Sequence, residues 1–159
     1  MALSLAQKFI NLGMPSPLAV EFANQINTGT YNWKRLMWNS MVPQLKAGAT
    51  ASEVYNNRLV PYCSAVKAAG FRLVIGTMLP RSDLSSPQQA EWNAYNALIR
   101  ANWATISDVL ADYQANSTIG PFAAASNPVF YPDGIHPSRA GYGILAPIFA
   151  TAVNMATSG

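Results

Sequence analysis

The stretch Phe71-Arg72-Leu73-Val74-Ile75-Gly76-Thr77-Met78-Leu79-Pro80 limits the fold more than any other part of the chain. It is a short β-branched run bounded by Gly70 and Pro80. Such a run reads as a strand buried on both faces, and strands of that kind belong to parallel sheets. Parallel strands need crossover connections, so helices must flank the run in sequence. The neighbouring segments have that character. Thr50 or Ser52 caps a helix over residues 50–70, with Glu53 three residues after Thr50 as in a capping box. Val54, Tyr55, Leu59, Tyr62, Cys63, Val66 and Ala69 face inward, Pro61 introduces a kink, and Gly70 closes the helix. Residues 81–86 are a polar loop. Ser86 and Pro87 start another helix that runs to about Ala104, with Trp92, Tyr95, Leu98, Ile99 and Trp103 on its apolar side. Ile106–Leu110 is a second strand candidate. Asn116–Asn127 is a loop rich in Ser, Gly, Pro and Ala, and Ala140–Thr157 reads as a C-terminal helix. The order over residues 50–157 is helix, strand, helix, strand, loop, helix, an α/β crossover pattern.

Residues 1–49 have a different texture. Ala2–Leu12 is a first helix with a broad apolar face, stopped by Gly13. Ser16 caps a second, with Pro17 at its first position and Leu18, Ala19, Phe22, Ala23 and Ile26 at helical spacing. A faint repeat follows at an offset of 27 residues: Lys8-Phe9-Ile10 recurs as Arg35-Leu36-Met37, Met14 as Met41 and Leu18 as Leu45. The chain therefore divides into a helical N-terminal segment, 1–49, and an α/β unit, 50–159.

Composition narrows the function classes. The sequence is 50% hydrophobic and 11% charged, apolar enough for a core and unlike a disordered chain. Its net charge of +3 is scattered, so no basic stripe for nucleic acid is expected. No apolar run approaches the ~20 residues of a spanning helix, so no membrane contact is expected. Met1–Ile10 lacks the basic flank and apolar length of a signal peptide. Cys63 is the only cysteine, which excludes an intrachain disulfide and a cysteine zinc cluster. With one Cys and one His, no metal or other cofactor is expected. Low charge with many Asn, Gln, Ser and Thr points to extensive contact with other protein.

The chemistry-bearing stretch is Tyr131-Pro132-Asp133-Gly134-Ile135-His136-Pro137-Ser138-Arg139-Ala140-Gly141-Tyr142, which holds the only histidine. A short turn can place Asp133 and His136 on one side of the backbone. The carboxylate then orients the imidazole and stabilises its protonated form, the base half of a nucleophilic hydrolase. The structural alternative is a carboxylate that accepts backbone N–H groups in a turn, beside a histidine that holds a loop. Arg81 reads as an anion ligand or as an ion-pair partner of Asp83. Trp33, Trp38, Trp92 and Trp103 read as core, or as a carbohydrate-stacking platform where exposed.

From Thr50 onward the chain resembles the C-terminal half of the SGNH, or GDSL, hydrolases. The resemblance rests on Ala65–Gly70 leading into Val74–Arg81, on Tyr95–Arg100, and on Asp133-Gly134-Ile135-His136-Pro137 with Gly141-Tyr142. It implies a flavodoxin-like three-layer α/β/α sandwich, here partial, with few parallel strands and a helical N-terminal extension. It also implies that Asp133 and His136 match the catalytic acid and base. Near the N-terminus, Leu12-Gly13-Met14-Pro15 before an amphipathic helix resembles short repeats of phage virion proteins.

The family's Gly-Asp-Ser nucleophile block is absent, as are the blocks that bring the oxyanion glycine and asparagine. Losing one oxyanion donor alone typically costs about 100- to 1000-fold in rate. Ser40, beside Asn39, is a stand-in nucleophile candidate; Ser82 and Ser138 lie near the strand exit and the histidine turn. Two readings follow. In the first, the chain is a non-catalytic, SGNH-derived structural or interaction protein, such as a decoration, fibre or tail-associated virion subunit. Asp133 and His136 are then vestigial, and a protein partner or a second copy covers the strand edge. In the alternative, the chain hydrolyses acyl esters of carbohydrates or lipids, with Asp133–His136 as base pair and the nucleophile supplied from elsewhere.

Overall fold

The computed structural model describes residues 42–68 and 72–157. The two N-terminal helices, the 27-residue echo up to Met41, and Ser40 lie outside the described residues. Within them, residues 42–46 are helical. Helix α1 (Ala51–Val54) starts at Thr50, which forms the expected capping box: its hydroxyl accepts from Glu53 N–H, and the Glu53 carboxylate accepts from Thr50 N–H at 2.8 Å. Five π-helical residues, Tyr55–Leu59, join α1 to α2 (Val60–Ala68). Pro61 sits just beyond. Its ring would crowd the Asn57 carbonyl four residues back, and the wider π turn is one way a helix accommodates such a residue. The π stretch lies immediately ahead of the proline at which a kink is expected.

Strand β1 spans Val74–Gly76 and β2 spans Val109–Ala111. They pair in parallel with Val74 opposite Val109, Ile75 opposite Leu110 and Gly76 opposite Ala111. Between them runs α3 (Ser86–Ile106), with Pro87 at its N-terminus as expected. Helix α3 continues past the predicted end and absorbs Ile106; Ser107 stops it, its hydroxyl bonding the Trp103 carbonyl at 2.9 Å. That displaces the second strand toward the C-terminus. Two short 3₁₀ turns, Tyr113–Ala115 and Phe122–Ser126, follow β2, and the last helix, α4, spans Arg139–Thr157.

Strand β1 is shorter than the apolar run that predicts it. Helix α3 takes over the backbone beyond it. Asn96, fully buried, accepts from Met78 N–H at 2.7 Å and donates to the Met78 carbonyl at 2.9 Å. Trp92 Nε1 also donates to the Met78 carbonyl, at 3.0 Å. A buried carboxamide thereby does for Met78 what a neighbouring strand would do.

The sheet separates two apolar layers. Ile75 and Leu110 pack with Val54, Leu59, Cys63, Tyr95 and Ile99 from the helices on one face. Val74, Val109 and Ala111 pack with Leu145, Ala152 and Ala156 of α4 on the other. The alternation along each strand follows from its period of two. The fold is therefore mixed α/β and mainly helical, with a parallel sheet of two strands among the described residues. No described helix is long and apolar enough to cross a membrane.

Candidate active site

The Asp133–His136 turn is built from both sides. Upstream, Tyr131 is buried and its hydroxyl donates to the Ile119 carbonyl at 3.1 Å. Gly134 N–H donates to the Tyr131 carbonyl at 3.0 Å. Gly134 has φ +73°, a conformation that glycine adopts without the Cβ penalty of other residues. Downstream, Ser138 caps α4: its hydroxyl accepts from Gly141 N–H at 3.1 Å and donates to the Val129 carbonyl. Gly141 is needed there, because a Cβ would lie 2.9 Å from the Phe130 carbonyl oxygen.

Within this frame the acid and base meet. Asp133 Oδ2 lies 2.6 Å from His136 Nδ1. Asp133 Oδ1 accepts two backbone N–H groups, from Ile135 at 2.9 Å and His136 at 2.7 Å. These contacts, the His136 ring first, hold the Asp133 carboxyl well below the usual carboxylate range. An ionised carboxylate on Nδ1 favours the Nδ1–H tautomer and leaves the Nε2 lone pair as the acceptor. Among the described residues no group hydrogen-bonds Nε2, and the His136 side chain is 70% exposed. The pair can therefore accept a proton at Nε2 and stabilise the resulting imidazolium.

The serines divide by what their hydroxyls already do. Ser138, with its proton on the Val129 carbonyl, is committed to capping. Ser107 is buried and bonded to Trp103. Ser82 is exposed and packs against the turn itself. Its N–H donates to the Gly134 carbonyl at 2.8 Å, and its side chain occupies the space a Cβ on Gly134 would fill. On either side of it Arg81 and Asp83 form the ion pair read from the sequence, in a two-pronged arrangement. Lys46 Nζ joins Asp83 at 2.7 Å. The Arg81 contact first, with Lys46 adding to it, keeps the Asp83 carboxyl low despite partial burial. The docking of Ser82 on Gly134 is invisible in sequence spacing; the Arg-Ser-Asp triplet is its only trace.

A second polar group lies at the carboxyl ends of the strands, where α/β folds commonly bind ligands. Arg100 grips Asp112 with two bonds, at 2.7 and 2.8 Å, and reaches Gln114 at 2.8 Å. Thr77 donates to Asp112 at 3.0 Å and accepts from Gln114 N–H at 2.9 Å. Burial pushes the Asp112 carboxyl up, but Arg100 and Thr77 outweigh it and the net shift is downward. These groups satisfy one another, so the cluster ties α3 to the strand exits. No described cluster of His, Cys, Asp and Glu side chains could hold a metal ion. Comparison with known proteins finds no matching family model, no similar curated protein and no solved structure of matching fold.

Proposed function

We propose that the chain hydrolyses esters by an SGNH-type mechanism, on acyl or acetyl esters of carbohydrates or lipids. Asp133 orients His136, and His136 Nε2 is the general base toward a hydroxyl from outside the missing Gly-Asp-Ser block. One observation carries this reading: the ring is gripped at Nδ1, by a carboxylate that is itself pinned by two N–H groups, while Nε2 stays open. Here the free nitrogen is the one that general-base chemistry uses.

The test is turnover of p-nitrophenyl acetate by the full chain and by His136→Ala. The expected outcome is saturable wild-type turnover that falls at least about 100-fold in the variant. Equal rates in the two proteins would remove the catalytic reading.

A second reading, the non-catalytic interaction or virion subunit, is favoured by the sheet. Two parallel strands are few for an open sheet, and β1 has no second strand partner among the described residues. On this reading a partner or a second copy covers that edge. Light scattering at micromolar concentration checks it: an assembly larger than one chain supports it, and a monomer with a cooperative melt counts against it.

A further inference from the structure

Ser82 combines three properties that no other described serine near the turn has. It sits at the apex of a turn whose flanking residues, Arg81 and Asp83, are clamped together by a two-pronged ion pair, with Lys46 as a third member. Its backbone is docked on the acid–base turn by the bond from its N–H to the Gly134 carbonyl, 2.8 Å long. Its hydroxyl lies against Gly134, between Asp133 and His136 in sequence, and has no hydrogen-bond partner among the described residues. A rigid turn that holds an uncommitted hydroxyl against the loop that carries the oriented imidazole brings together the two groups a serine nucleophile needs. The position suits it as well, since Ser82 follows the carboxyl end of β1. The N–H of Asp83, next in the chain, has no acceptor among the described residues, which leaves it available as an oxyanion donor.

We propose that Ser82 is the resident nucleophile of the site, standing in for the missing Gly-Asp-Ser serine. This rests on the ester-hydrolase reading above and names the hydroxyl that reading requires. Ser82 Oγ forms a bond to the ester carbonyl carbon as its proton passes to His136 Nε2. The tetrahedral intermediate collapses, the bond from carbon to the alcohol oxygen breaks, and the alcohol leaves with the proton from Nε2. Water, deprotonated by His136, then attacks the acyl-serine. The carboxylic acid departs and Ser82 recovers its proton.

The experiment treats the full chain with diethyl p-nitrophenyl phosphate and locates the diethylphosphoryl adduct by mass spectrometry of tryptic peptides. Cleavage after Arg81 makes Ser82 the first residue of its peptide. The adduct is expected on Ser82, with labelling at least about 10-fold slower in His136→Ala. Turnover of p-nitrophenyl acetate is expected to fall at least about 100-fold in Ser82→Ala. Because Ser82 also braces the turn, Ser82→Cys is the companion variant. Its thiol keeps the packing and is expected to react with iodoacetamide faster than in the Ser82→Cys, His136→Ala double variant. Turnover that needs His136 but survives Ser82→Ala, with the adduct on Ser40 or another residue, overturns the assignment and leaves the base-pair reading standing. A folded chain with neither turnover nor adduct overturns both.

Discussion

Replacing Gly134 by Ala probes the join between the turn and the strand exit. The backbone there has φ +73°, and an L side chain in that region costs about 1–2 kcal/mol. Space adds a second cost. The new Cβ would overlap the Ser82 hydroxyl and lie 3.0 Å from Ser82 Cβ. Rotating the hydroxyl away costs about 0.5–1.5 kcal/mol, the penalty of a strained rotamer. The sum is about 1.5–3.5 kcal/mol. Only the second part depends on Ser82, and Ser82→Gly removes it. A double-mutant cycle by urea denaturation therefore separates the two: Gly134→Ala is expected to cost about 1 kcal/mol less in the Ser82→Gly background than in the wild type. Identical costs in both backgrounds, within about 0.3 kcal/mol, would mean that Ser82 does not press on the turn.

Two further outcomes follow from the polar groups that the fold holds in place. Asn96→Ala leaves Met78 N–H without its acceptor, while the Met78 carbonyl keeps Trp92. The expected cost is about 3 kcal/mol, from an unsatisfied donor and a small void, and a loss under about 1 kcal/mol in urea titration would refute the strand-substitute role. Acid should destabilise the fold. Asp83, Asp112 and Asp133 are all held below the range they would have in the unfolded chain. The unfolded state therefore takes up protons first as the pH falls through about 4, so stability is full above that range and is lost below it. The melting temperature is expected to drop on acidification through this window, and a flat profile would contradict the ion-pair and turn assignments.

The sequence displays those parts of the fold that local chemistry dictates. Thr50 and Glu53 announce a helix start because a capping box is complete within four residues. The β-branched run between Gly70 and Pro80 announces a strand, and a helix between two such runs implies parallel pairing. The extents are less legible, because tertiary contacts set them. Asn96 lies between the apolar positions Tyr95 and Leu98 with nothing local to mark its role, yet it is buried and serves the Met78 backbone. Ile106 reads as strand and joins the helix, since Ser107 is the residue that stops it. At the site, Asp133 and His136 are close in sequence, and their turn is legible from spacing. Ser82 is brought to Gly134 by the fold, across 52 residues, and no local pattern encodes that.

The central claim is that Asp133 holds the His136 ring with Nε2 free to act as base. The chain has one histidine, so the ring nitrogens are observable without ambiguity by ¹⁵N NMR. With the ring neutral at alkaline pH, the wild type is expected to carry its proton on Nδ1, and Asp133→Ala is expected to shift it toward the Nε2–H tautomer that free imidazoles favour. A wild-type ring already protonated at Nε2, and unchanged by the substitution, would contradict the account.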